Sequence, residues 1–224
     1  MIPRDERWLA AWLGDLAREG LEEWARMLDP ASARRPATDP RGDFVDEMGH
    51  RAPVARALLA HVLDAGPEGV PGGGPELESW RWSLAGGGGQ DADARGACPG
   101  ENGPAGEGPL VPGLRGEGIE AWTQAELVAL HGLSIGAWDD SAAWRRCDSA
   151  ARWLMAEVQP DNATNRPWAA HVFLRMWARE GDVDARMYAE TLVNNCRVAM
   201  GKVDRLSGLI LASAGKVMRG DRSP

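Results

Sequence analysis

The sequence predicts an all-α protein of antiparallel helical hairpins that carries a long Gly/Pro-rich irregular insertion, on three observations. Across residues 123–200 the apolar positions recur in steps of three and four over two successive pairs of segments. That period fits one face of an α-helix and not the period of two of a strand. Residues 66–118 hold 17 Gly and 7 Pro in 53 positions, well above the roughly 25–30% that marks low-complexity chain. Finally, the first 28 residues carry one more amphipathic stripe. The chain therefore divides into N-terminal helices with a connector (1–65), the insertion (66–118), a helical-hairpin core (119–218) and a short tail (219–224).

Taken in order, Trp8, Leu9, Trp12, Leu13 and Leu16 share a helical face, and Leu21, Trp24, Ala25 and Leu28 continue it. Gly14 and Gly20 each lower helix propensity by roughly 1 kcal/mol relative to Ala, so a kink or break is expected there. A Trp-rich terminal helix can also lie on a membrane surface. Its polar face carries Asp15, Glu19, Glu22 and Glu23 with few Arg, which anionic lipid repels, and packing against the body is the expectation.

Residues 29–53 read as a connector with Pro30, Pro36, Pro40 and Pro53. It contains the densest polar cluster in the chain: Asp43, Asp46, Glu47 and His50. On a helix, Asp43, Glu47 and His50 would share a face. A Glu-x-x-His pair is one part of a di-iron bundle site, which needs a second pair and two further Glu; no other Glu-x-x-His occurs. A solvated loop with a capping role for Asp46 or Glu47 is the plain reading, and a pocket lining is the functional one. Residues 54–65 form a short apolar helix around Leu58, Leu59, Val62 and Leu63, stopped by Gly66-Pro67.

The insertion has four consecutive Gly at Gly86 to Gly89. No Gly-Lys-Ser/Thr follows them, so they make no phosphate loop. If any part of the insertion is ordered, residues 79–84 are expected to be that part, because Trp80, Trp82 and Leu84 alternate there.

In the core, Thr123-Gln-Ala-Glu126 has the form of a capping box, with Leu127, Leu130 and His131 following at helical spacing and a stop near Gly136. Asp139 or Asp140 caps a second helix with Trp144, Cys147, Ala151, Leu154 and Val158 inward, ended by Pro160. Thr164 or Asn165 opens a third, with Pro167 in its first turn; it carries Trp168, His171, Val172, Met176 and Trp177 to Gly181. Asp182 restarts the chain, and Ala185, Tyr188, Ala189, Leu192, Cys196 and Ala199 mark the inward face of a fourth. Sliding one hairpin by 41 residues superposes Cys147 on Tyr188 and Ala151 on Leu192. A last helix spans 203–218 around Leu206, Leu209, Ile210 and Val217, with Gly208, Ala212 and Gly215 as a face for close approach.

Composition narrows the function classes. Lys occurs only at Lys202 and Lys216, an Arg, Ala and Gly bias that points to a GC-rich, bacterial type of coding sequence. The net charge of −8 arises before residue 119, since residues 119–224 carry 13 basic and 13 acidic groups. No basic patch with interleaved aromatics exists, which argues against nucleic acid. Cys98, Cys147 and Cys196 are odd in number and far apart, giving neither a disulfide framework nor a zinc knuckle. No bound cofactor or metal is expected. The start lacks a signal-peptide pattern and no apolar run approaches a membrane span, so the expectation is a soluble cytoplasmic protein whose partner is another protein or a small molecule. Eleven Trp against two Phe and one Tyr suit either a core or a stacking surface.

Successive helical hairpins with mid-helix His and many Trp resemble the α/α-toroid and α-solenoid class, over residues 119–218 and by patterning alone. The resemblance implies an open α/α superhelix or a partial toroid, since three and a half hairpins are too few to close a ring. It also implies two functions. One is a non-catalytic binding or scaffold module. The other is a toroid-like enzyme acting on a carbohydrate or similar polar small molecule through two carboxyl groups about 5–9.5 Å apart; Asp161 with Asp43 or Glu47 is the candidate pair. A polar pocket would draw on His50, His131, Trp168, His171 and Asn195. Folding the third and fourth helices about Gly181 brings Asn195 level with Trp168 and near His171. Those groups should then pair with one another or with water, either as a network that sets helix register or as a pocket floor with His171 as a proton carrier.

Overall fold

The computed structural model describes residues 6–27, 37–38, 44–45, 51–52, 108–110, 118–136 and 141–219, with side-chain surroundings over 7–19, 108–110, 118–135, 144–161 and 163–219. Helix α1 spans Glu6–Met27. Three two-residue strands follow, β1 (Ala37–Thr38), β2 (Phe44–Val45) and β3 (Arg51–Ala52), paired antiparallel in that order. The remaining elements are α2 (Ile119–Gly136), α3 (Ser141–Glu157), the single turn α4 (Pro160–Ala163), α5 (Ala170–Glu180), α6 (Val183–Met200) and α7 (Arg205–Met218). Apart from the six-residue meander, the regular structure among the described residues is all helical.

The first helix forms as its stripe dictates, with Leu9, Leu13 and Leu16 buried and Trp8 and Trp12 packed on the core. It runs unbroken through Gly14 and Gly20, against the expected kink. Burial against α7, its most extensive neighbour, outweighs the propensity deficit of two Gly. Gly215 of α7 faces this contact: a Cβ there would stand 3.8 Å from Leu13 Cβ and 3.9 Å from the Ala10 carbonyl, in ordinary contact with α1.

In the connector, Phe44 pairs with both Thr38 and Ala52. A strand at Phe44–Val45 rules out one helix from Asp43 to His50. The aromatic and β-branched pair favours extended chain, flanked by Gly42 and Gly49. The segments 54–65 and 79–84, together with Asp139 and Asp140, lie outside the described residues.

The second helix starts a turn earlier than Thr123. Gly118 (φ +100°) precedes it, and Trp122 N–H donates to the Gly118 carbonyl at 3.1 Å. Thr123 is interior, its hydroxyl donating to the Ile119 carbonyl at 2.6 Å, so the capping box does not form. Trp122 is the cause: it is 2% exposed and meets Trp153 of α3 edge to face at 5.6 Å, which draws Ile119 to Trp122 into the helix.

Helix α3 buries Trp144, Cys147, Ala151, Leu154 and Val158 as its period requires. Pro160 follows its end and takes the first position of α4. The next helix opens at Ala170 rather than at Thr164 or Asn165. Thr164 is extended (φ −166°, ψ 154°) and its hydroxyl accepts from Arg166 N–H at 3.1 Å, a local bond that competes with helix initiation. Gly181 (φ +77°) closes α5, donating to the Trp177 carbonyl at 2.8 Å, and Asp182 caps α6 by accepting from Ala185 N–H. On α6 the inward series ends on Met200; Ala199 is exposed.

Ala170 through Trp177 are all buried, and α5 touches α1, α2, α3 and α6. A helix covered on every side is the centre of a core. Phe173 packs on Tyr188 at 4.7 Å and Trp8 on Trp177 at 5.2 Å. Among the described residues no helix is long and apolar enough to cross a membrane.

Candidate functional site

Because α5 lies at the centre, any polar side chain on its buried face must find partners inside. His171 does so against α2. Its Nε2 lies 2.8 Å from the Ser134 hydroxyl and 3.4 Å from His131 Nδ1, and the two rings meet edge to face at 4.9 Å. His131, Ser134 and His171 are 0%, 1% and 2% exposed. The Ser134 hydroxyl donates to the His131 carbonyl at 2.8 Å. Its one proton is thereby used, so it accepts from His171, which places the proton of that ring on Nε2. His171 Nδ1 is then a bare acceptor, buried with no hydrogen-bond donor facing it among the described residues.

The electrostatics follow from the burial. Desolvation, with the Arg175 guanidinium one turn along α5 adding to it, drops the His171 pKa to about 3. Arg175 is itself buried and stacks over the Trp144 ring at 4.0 Å. At neutral pH His171 is an uncharged imidazole. A base that weak takes up little of a proton near neutrality, and its Nε2–H is already directed at the Ser134 hydroxyl, so His171 is not placed to act as a base toward that serine. Sequence reasoning missed Ser134. The signal was there: it follows His131 by three residues, on the same helical face.

The other anticipated residues scatter. Trp168 is buried in the turn before α5, and its indole N–H meets no acceptor among the described residues. Asn195 is half-buried and turns away from both; its Nδ2 donates to the Pro160 carbonyl at 2.9 Å and the Thr164 carbonyl at 3.3 Å. It thus anchors the turn around α4 rather than pairing with His171 or Trp168. Asp161 is exposed on α4. Asp43, Glu47 and His50 lie outside the described residues.

A second polar locus joins α2 and α3 to residues 108–110. Glu126 is fully buried, and its Oε1 accepts from Leu110 N–H at 2.6 Å. Arg146 spreads its fork over the two preceding carbonyls, NH1 to Gly108 and NH2 to Pro109, each at 2.9 Å. Leu110 is 4% exposed and belongs to the core. Among the described residues between 66 and 118, residues 108–110 are thus held against α2 and α3. Glu126, read from sequence as half of a capping box, is the residue that holds Leu110.

A third locus lies at the start of α7. Asp204, fully buried, accepts from Ser207 N–H at 3.0 Å, from the Ser207 hydroxyl and from the Cys196 thiol at 3.4 Å, and pairs with buried Arg166 at 3.4 Å. Burial pushes the Cys196 thiol well above its usual pKa, and the same holds for Cys147. Both are therefore unreactive thiols. Among the described residues no three His, Cys, Asp or Glu side chains converge to hold a metal ion. No protein-family model, curated protein or solved structure matches this chain.

Proposed function

We propose that the chain is a non-catalytic helical binding module, with its helices arranged as antiparallel hairpins of an open superhelix or partial toroid. What supports this reading is the use made of the acid–base side chains. His171 is neutral and sealed in the α2–α5 contact, Asp204 is committed to the start of α7, and Glu126 is committed to a backbone N–H. Groups engaged in this way hold elements together and have no remaining geometry with which to move a proton to a ligand.

The competing carbohydrate-enzyme reading rests, among the described residues, on Asp161 alone. It is tested by incubating the wild-type protein and Asp161→Asn with a panel of α- and β-linked oligosaccharides and measuring released reducing ends. The binding-module reading expects no turnover by either protein. Turnover that Asp161→Asn removes would overturn it.

A further inference from the structure

The contacts made to residues 108–110 have the form of peptide recognition. Three consecutive main-chain groups are engaged in order: the Gly108 carbonyl, the Pro109 carbonyl and the Leu110 N–H. Pro109 has no N–H to satisfy, and its ring fixes its own φ before any contact is made; with Gly108 at φ +101° the segment is bent. Two side chains therefore address the main-chain polar groups from Gly108 O through Leu110 N, whatever side chains the segment carries. Main-chain hydrogen bonds for affinity and a pocketed side chain for specificity are features that peptide recognition commonly combines.

Specificity then comes from two positions. Gly108 stands at φ +101° with no atom within 4 Å of a would-be Cβ, so glycine is required by conformation and not by space. Leu110 is the buried anchor. Residues 66–118 contain four Gly-Pro pairs, and the residues that follow them are Glu68, Glu76, Ala105 and Leu110. Only the last supplies a large aliphatic side chain, and a Glu in its place would bring a second carboxyl into an apolar site beside Glu126. The register is thereby set.

We propose that the site formed by Glu126 of α2 and Arg146 of α3 is a receptor for bent Gly-Pro-aliphatic segments, which the protein's own residues 108–110 fill in cis and a Gly-Pro-Leu segment of a partner chain fills by displacement. This rests on the binding-module reading and names the class of its ligand. The cis segment lies only a few residues before α2 in the sequence, and a ligand carried on the same chain has an effective concentration on the order of millimolar. A partner segment must outcompete that, so the wild-type protein is a guarded receptor.

The test uses the full chain and a fluorescent nonapeptide copying residues 105–113, followed by anisotropy. Leu110→Ala in the protein weakens the cis anchor and should tighten apparent peptide affinity at least tenfold over wild type. Adding Arg146→Lys, which keeps the charge and loses the fork, should reverse the gain. A peptide with Glu at the Leu110 position should not bind. If Leu110→Ala is unfolded by circular dichroism, hydrogen exchange on the wild-type protein replaces it: saturating peptide should speed exchange of the 108–110 segment while α2 stays protected. Absence of saturable binding to a folded Leu110→Ala protein overturns the proposal, as does unchanged exchange at 108–110 in the alternative arm. Glycan turnover bears on the binding-module reading separately, so the two failures are distinguishable.

Discussion

Ser134 and His171 are joined by a 2.8 Å hydrogen bond between the two most enclosed helices, and the bond carries a neutral imidazole whose pKa is about 3. In the unfolded chain the same ring titrates near 6.5. Its folded value is depressed, so its contribution to stability is fully present above about pH 6.5 and is lost as pH falls from there toward 3. Denaturant unfolding at pH 7.5, 6.0, 5.0 and 4.5 should show stability falling, with a slope approaching about 1.4 kcal/mol per pH unit. His171→Leu should flatten that slope between pH 6.5 and 5. An unchanged slope in the variant would place the titration elsewhere.

The same bond makes a prediction at constant pH. Ser134→Ala leaves the His171 Nε2–H with only the longer approach to His131, 3.4 Å away. A buried donor that loses its partner costs about 1–3 kcal/mol. Unfolding at pH 7.5 should register a loss in that range, with the fold unchanged by circular dichroism. A neutral substitution would mean that the hydroxyl serves only the His131 carbonyl.

A second titration belongs to the surface. Glu19 of α1 accepts from Val203 N–H at 3.1 Å and from Arg197 Nε at 3.0 Å, which ties the first helix to the α6–α7 junction. The Arg197 hydrogen bond leads the effects that hold its pKa below 4.5. A depressed carboxylate stabilises above its unfolded pKa and loses that contribution as pH falls through the folded value. This window lies below about pH 4.5, so it overlaps only the lower end of the histidine's and leaves pH 6.5 to 5 to His171. Arg197 is nearly half exposed, so solvent screening keeps the ion pair near or below about 1 kcal/mol. Glu19→Gln should cost about that at pH 7, and part of the loss should vanish in 1 M salt.

Gly215 gives a steric prediction. A methyl group there meets Leu13 Cβ at 3.8 Å and Arg219 NH1 at 3.5 Å, both ordinary contacts. Gly215→Ala should therefore fit and gain up to about 1 kcal/mol from helix propensity. Gly215→Leu extends into α1 and should lose about 1–3 kcal/mol by overpacking. Thermal melts of the pair should move in opposite directions; movement in the same direction would show that α1 and α7 can separate locally at no cost.

Much of this architecture was legible in the sequence, for reasons visible at single residues. Cys147, Ala151, Leu154 and Val158 mark a face that any amphipathic helix would bury, and Asp182 and Gly181 punctuate the chain as caps do. What the sequence hid was partner choice. Thr123 and Glu126 have the local form of a capping box, yet Trp122 packs on Trp153 and moves the helix start upstream, freeing Glu126 to take Leu110. Asn195 looked like a partner for His171 by position along its helix, but the α4 turn supplies carbonyls within 3.3 Å and wins. His131 and His171, anticipated as members of one polar group, do meet. The resolving detail, Ser134, is a small side chain with no compositional weight.

The last prediction concerns Asp204, where three elements converge on one carboxylate. It caps α7 through Ser207 N–H, receives the Cys196 thiol from α6 and pairs with Arg166 from the turn before α5. Asp204→Ala removes all of these at once and withdraws the ion partner of a buried Arg. Removing one member of a buried pair typically costs about 3–5 kcal/mol, and a lost N-cap adds about 1 kcal/mol. Asp204→Asn separates the contributions, since the amide oxygen can still cap α7 while the charge is gone. Unfolding free energies should therefore rank wild type above Asp204→Asn and Asp204→Ala lowest. Arg166→Met should remove most of the difference between wild type and Asp204→Asn, because the carboxylate charge then has no buried guanidinium to meet. If Asp204→Asn loses as much in the Arg166→Met background as in the wild type, the charge pair contributes nothing to stability and the carboxylate acts through its cap alone.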